Sequence, residues 1–78
     1  MPLVSFYAAA RAASGCSSME CQPSTLGELI TNLSDLNSNL RDLLPTCSFL
    51  LNSVACDEFD VKLESTDRID VLPQFSGG

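Results

Sequence analysis

Apolar residues recur at three- and four-residue steps through Leu26, Leu29, Ile30, Leu33, Leu36 and Leu40. That period writes one apolar stripe along a helix. A single amphipathic helix cannot cover its own stripe, so the rest of the chain has to supply a sheet for it to lie on. Thr25 followed three residues later by Glu28 is a capping-box pattern and sets the helix start. Asn37, Ser38 and Asn39 are weak helix formers, so the helix is expected to break near them, resume over 40–44 and stop at Pro45.

The flanking segments alternate with the period of a strand. In residues 3–7, Val4 and Phe6 share one face and Leu3, Ser5 and Tyr7 the other. Residues 8–14 are Ala-rich and have room for a single helical turn, but Gly15 ends it before length would repay nucleation. Residues 18–22 alternate again, with Met19 and Cys21 toward the core. Residues 49–54 read as a buried strand, with Cys56-Asp57-Glu58 as the turn that follows. Phe59, Val61 and Leu63 alternate with Asp60, Lys62 and Glu64, the pattern of a half-exposed strand. After a turn at Ser65-Thr66-Asp67, Ile69 and Val71 alternate with Arg68, Asp70 and Leu72 in a last strand that Pro73 closes. The order is strand, strand, helix, then two or three strands. It predicts an α+β domain with one helix laid across one face of a mixed sheet.

Size narrows the chemistry. A chain of 78 residues buries roughly 60% of its unfolded surface, which leaves room for one helix on one small sheet and no deep substrate cleft. Such a domain works by docking. At 45% apolar the sequence lies outside the disordered class. Only Arg11, Arg41, Lys62 and Arg68 oppose ten acidic residues, for a formal charge of -6. Nothing there neutralises a run of phosphates, so neither nucleic acid nor an anionic membrane is an expected partner, whereas a basic protein surface would be attracted. The absence of His removes every Ser/His/Asp or Cys/His arrangement and with it autonomous acid-base catalysis.

No stretch approaches the roughly 18 consecutive apolar residues of a membrane span. Met1-Pro2-Leu3-Val4 lacks the basic start of a secretory signal. Ala13-Ser14-Gly15-Cys16 looks like a lipoprotein cleavage box, but Arg11 interrupts what would be its apolar region. The expected location is the cytosol. Cys16, Cys21, Cys47 and Cys56 lack the spacing of a structural zinc site and are read as reduced structural thiols.

The chain ends Pro73-Gln74-Phe75-Ser76-Gly77-Gly78. Glycines without a β-carbon allow a slim tail to enter a narrow channel in another protein; the alternative is a frayed terminus. Alternation sends Leu72 away from the core beside that tail, and Tyr7 to the same outer face. With Phe75 they form a candidate apolar contact patch.

The run Phe6-Tyr7-Ala8-Ala9-Ala10-Arg11 with Gly15, the helix start Thr25-Leu26-Gly27-Glu28-Leu29, and the end Leu72 to Gly78 together resemble the small, sulfur-carrying subunits of molybdopterin synthase, end to end. That family has a β-grasp, ubiquitin-like fold. The resemblance implies a four- to five-stranded mixed sheet over residues 1–72 and a flexible tail over 73–78 that inserts into partner active sites. The chain departs from the family at Ser65-Thr66-Asp67-Arg68, where an Asp-Gly-Asp-Glu-type turn is usual, at Pro73-Gln74, where two prolines are usual, and at Cys56, where Asn is usual.

The resemblance further implies that Gly78 is converted to a glycyl adenylate and then to a thiocarboxylate. The chain has no phosphate-binding Gly-rich loop, and its only Lys is Lys62. ATP would therefore be consumed by a separate ubiquitin-activating-type enzyme, with sulfur coming from a persulfide and no cofactor or metal held permanently. The sulfur would go to cyclic pyranopterin monophosphate, making molybdopterin, with the catalytic groups on the synthase's large subunit. Gly77, Ser76, Phe75, Leu72, Tyr7 and Arg11 are the partner-binding residues so implied. The rivals are a related carrier for thiamine thiazole or transfer-RNA thiolation, a ubiquitin-like modifier joined through Gly78 to lysines, and a docking module with an inert tail.

Overall fold

The computed structural model describes residues 1–22 and 24–74. The elements run β1 (Leu3–Phe6), α1 (Ala9–Ser14), β2 (Ser18–Glu20), α2 (Leu26–Leu36), α3 (Ser38–Leu43), a 3-10 turn (Leu44–Thr46), β3 (Cys47–Leu51), β4 (Val54–Ala55) and β5 (Arg68–Pro73). The five strands form one sheet in the order β2-β1-β5-β3-β4. Only β1 and β5 run parallel, Leu3 facing Arg68 and Phe6 facing Val71; the other pairs are antiparallel. This is the mixed sheet with a helix across one face that the alternation predicts, in the β-grasp arrangement.

The core forms where the two periodicities meet. Val4, Phe6, Phe49, Ile69 and Val71 point down from the sheet onto Leu26, Leu29, Leu33, Leu40 and Leu44 from the helical side. At the start of α2 the Thr25 hydroxyl accepts from the Glu28 amide at 3.1 Å. The return arm of the box lands one residue earlier than usual: the Glu28 carboxylate accepts from the Ser24 amide at 3.3 Å. The Ser24 side chain and then this amide hold the Glu28 carboxyl below its ordinary range. In α1, Gly15 adopts the left-handed conformation (φ 80°) and its amide closes the helix onto the Arg11 carbonyl.

The stripe fails at one place. Leu36, expected on the apolar face, is 56% exposed, because Asn37 is fully extended (φ -161°, ψ 160°) and ends the helix immediately after it. The Asn37 Oδ1 accepts from the Leu40 amide at 2.7 Å, capping α3, while its Nδ2 donates to the Ala13 carbonyl at 3.1 Å. α3 thus starts in a new direction and buries Leu40 completely. Asn37→Ala removes both the cap and the tie to α1, and is expected to cost about 1–2 kcal/mol in urea unfolding. A loss indistinguishable from zero would show that neither bond matters.

Two further expectations are corrected. Residues 49–54 are not one strand: β3 begins at Cys47, and Asn52 (φ 51°) with Ser53 (φ 72°) forms a two-residue hairpin turn into β4. The turn therefore precedes β4 and does not lie at Cys56-Asp57-Glu58. Nor do residues 59–63 form a strand; they touch the ladder system only through an isolated bridge between Lys62 and Thr25. Their carbonyls are spent elsewhere. The Val61 carbonyl accepts from the Leu26 amide at 3.0 Å and the Phe59 carbonyl from the Gly27 amide at 2.9 Å, so this segment satisfies the free donors of the first turn of α2. Gly27 permits the approach, since a β-carbon there would meet the Phe59 oxygen at 3.1 Å.

A clip joins the hairpin turn to the loop before β5. The Asn52 Nδ2 donates to Asp67 Oδ1 at 2.9 Å, its Oδ1 accepts from the Arg68 amide at 2.9 Å, and Asp67 Oδ2 accepts from the Glu64 amide at 2.7 Å. The Asn52 side chain, and after it the Glu64 amide, hold the Asp67 carboxyl below its ordinary range. A carboxyl depressed in the folded state stabilises above its unfolded pKa, about 3.9, and that contribution is lost as pH falls through the lower folded value. The thermal midpoint should accordingly fall more steeply from pH 4 downward in the parent than in Asp67→Asn; parallel profiles would remove Asp67 from the account.

Candidate functional site

The helices cover only one face of the sheet. On the other, register places Leu3 beside Arg68, Ser5 beside Asp70, Leu50 beside Asp70 and Ser48 beside Leu72. Leu3, Leu50, Asp70 and Leu72 are half-buried there. Tyr7 lies one residue past β1, where its amide donates to the Val71 carbonyl at 3.3 Å. Its ring is 40% exposed, and its hydroxyl donates to Asp70 Oδ1 at 3.5 Å, a long and weak bond. Tyr7 and Leu72 are thus brought to the same end of the same face, as alternation predicts.

β5 runs one residue further than expected, through a buried Pro73 that faces Cys47, and exposed Gln74 follows it. The chain therefore leaves the sheet directly beside Leu72 and Tyr7. Phe75, Ser76, Gly77 and Gly78, the remaining expected site residues, lie outside the described residues. Arg11 is not drawn into the patch. It is exposed on α1, and among the described residues no ion pair joins it to anything. The sequence reading placed Leu3 on this face with Tyr7 but overlooked Leu50; the in-out alternation of β3, with Phe49 buried between Ser48 and Leu50, was the available signal.

The four cysteines are free thiols, each half-buried. Burial pushes the Cys21 and Cys47 thiols up from their ordinary value, which leaves them protonated and unreactive at neutral pH. Lys62 is exposed and sits in a loop, not on a strand. Among the described residues no cluster of three metal-ligating side chains occurs, and no helix is long and apolar enough to cross a membrane. A half-open cleft of about 460 Å³ lies between α2 and the β3–β4 hairpin.

The outer face offers contact surface, and the chain leaves the sheet next to it at Pro73. Comparison with known proteins agrees with such an arrangement. The model of the ThiS family matches residues 4–78. No curated protein sequence matches the chain. Among solved structures, the complex of subunits 1 and 2 of molybdopterin-converting factor from Helicobacter pylori contains a chain 25% identical, with 99% of this chain and 97% of that one covered at a TM-score of 0.78. The small archaeal modifier protein 1 of Methanosarcina acetivorans superposes at a TM-score of 0.87 with 19% identity, covering 99% of this chain and 95% of that one. A chain of the Amycolatopsis orientalis BexX/CysO complex does so at 0.80 and 18%, with both chains fully covered. At these last two identities the likeness is one of fold. With its sequence matched from residue 4 to its last glycine, the chain belongs to the ThiS family of ubiquitin-like sulfur carriers.

Proposed function

We propose that this chain is the sulfur-carrying small subunit of a molybdopterin synthase. The observation that carries the reading is the family match through the Gly-Gly end. The Helicobacter pylori neighbour, a subunit of molybdopterin-converting factor seen with its second subunit, supports the choice of acceptor and of a hetero-oligomeric partner.

A carboxylate is a poor electrophile, so the Gly78 carboxylate first attacks the α-phosphate of ATP on a separate adenylating enzyme, releasing pyrophosphate. The terminal sulfur of a persulfide then displaces AMP, and a thiol reduces the resulting acyl disulfide to leave the thiocarboxylate. The charged tail enters the large subunit and donates its sulfur to cyclic pyranopterin monophosphate, with the catalytic groups on that subunit. This chain contributes reach and position. Gly77 keeps the approach slim, and Leu72 and Tyr7 hold the tail's exit against the partner. A cytosolic location suits these partners.

The intact mass of the chain after incubation with ATP and a sulfur source in lysate of its host, then with large subunit and cyclic pyranopterin monophosphate, tests each step. Replacement of one oxygen by sulfur, absent from a chain lacking Gly78, followed by its reversal and by molybdopterin formation, is the expected result. A thiocarboxylate that persists would point to the acceptors of thiazole synthesis or transfer-RNA thiolation. Conjugates on larger proteins would point to a modifier, as in the archaeal neighbour.

The outer face makes its own prediction. Leu72→Glu places a charge in the contact and is expected to weaken docking to the large subunit by about 2 kcal/mol, roughly thirtyfold in Kd. The fold should survive because the residue is only half-buried. Unchanged affinity in titration calorimetry would remove this face from the interface.

A further inference from the structure

The cleft between α2 and the β3–β4 hairpin plays no part in the proposed carrier chemistry; it is lined mainly from the helix side and reaches the β3 edge at Ser48, the ladder neighbour of Leu72. Buried Leu44 and Phe49 line it together with Ile30, Ala55 and Phe59. Its volume of about 460 Å³ suits one or two apolar side chains. Phe59 is 51% exposed at this site. Its backbone is pinned there by the Gly27 amide, so the ring does not fold away into the core. Val54, 68% exposed on the edge strand, extends the apolar surface beyond Ala55.

Charge decides what fits. Asp57 lines the cleft, and exposed Glu58 and Asp60 flank Phe59 in the chain. No basic residue occurs between Arg41 and Lys62, and Arg41 lies against its own neighbour Asp42 at 3.8 Å. A second copy of a chain of charge -6 would set acid against acid. The segment Gln74-Phe75-Ser76-Gly77-Gly78 carries no cation to pair with the rim. We propose that this cleft is a second docking surface, which takes a cationic segment of a partner protein: an apolar side chain seated against Leu44 and Phe49, with Lys or Arg beside Asp57 and Glu58. Because the apolar floor of the cleft, Leu44 and Phe49, lies on the buried side of the sheet and Tyr7 and Leu72 on the other, the carrier can hold a partner here while its outer face and tail engage another.

The test uses the full chain, labelled with nitrogen-15, and a synthetic peptide with Phe-Leu flanked by two lysines on each side. Amide shifts are expected at Ile30, Ser34, Phe49 and Ala55, with slower alkylation of Cys56, which also lines the cleft. Affinity should fall roughly tenfold from low to physiological salt and by about as much in Asp57→Lys. Ala55→Arg, at an exposed position, should abolish binding while the spectrum stays dispersed. Equal binding of the peptide with glutamates for lysines, shifts on Leu3, Leu50 and Leu72 instead, or none at millimolar peptide would overturn the proposal. So would cleft shifts that grow with protein concentration, or that change in a chain ended at Gln74; these would assign the cleft to a second copy or to the tail. Thiocarboxylation of Gly78 is read separately by mass, so this proposal and the carrier assignment can fail independently.

Discussion

Gly77→Leu is expected to abolish sulfur transfer while leaving the thermal midpoint where it was. In the proposed function the tail would bring the Gly78 carbonyl carbon to reacting groups that belong to other proteins, a contribution that is purely geometric. A misplacement of about 1 Å at a reacting centre costs on the order of a hundredfold in rate. A leucine side chain in a channel shaped for glycine displaces the terminus by more than that. Both adenylation and transfer should fall by at least roughly a hundredfold, because both partners have to admit the same tail. The measurements are the intact mass after activation and the single-turnover rate of sulfur loss from a pre-formed thiocarboxylate. A normal rate in the second with a normal mass shift in the first would sink the carrier mechanism. The unchanged midpoint separates this effect from unfolding, since the substituted residue lies beyond β5.

Phe6→Ala should do the reverse and disable the domain through its stability. Phe6 is completely buried, it faces Val71 across the parallel ladder, and its amide donates to the Ser17 carbonyl at 2.9 Å. Truncation removes the ring and leaves a cavity that the strands cannot close, at about 3–5 kcal/mol. A domain with roughly 0.05–0.15 kcal/mol of stability per residue has little more than that to lose. The midpoint should drop by about 15 °C or more, and a fraction of the protein should be unfolded at 37 °C. Tyr7→Ala, one residue along and 40% exposed, should cost less than about 1 kcal/mol. Similar losses in the two variants would mean that the faces of β1 are misassigned.

What could be read before the structure, and what could not, divides along the range of the interactions. The start of α2 was legible because its cap is local: Thr25 and Glu28 satisfy each other's surroundings within one turn. The faces of β1 and β5 were legible because both alternate strictly, and Val4, Phe6, Ile69 and Val71 are all fully buried. Residues 59–63 alternate as well, yet their hydrogen-bonding groups go to a helix terminus that lies far away in the sequence. No local pattern reports that competition. The hairpin at Asn52-Ser53 was missed because serine there is not the glycine that usually announces such a turn, although both residues adopt positive φ. Leu36 was misplaced because Asn37 is held extended partly by the Ala13 carbonyl, a contact across the helical layer. For the functional site, alternation placed Tyr7 and Leu72 on one face. The chemistry of Gly78 came from the family resemblance alone.

The parallel pairing of β1 with β5 also sets a schedule for biosynthesis. The first strand has no parallel neighbour until residues 68–73 exist, and β3 likewise waits for β5 along its whole length. On the ribosome the nascent chain can form helices and the β1–β2 and β3–β4 hairpins, but the sheet cannot close until the last strand has left the exit tunnel. An activating enzyme that recognises the closed sheet, with Tyr7 and Leu72 brought together, would pass over unfinished or truncated chains.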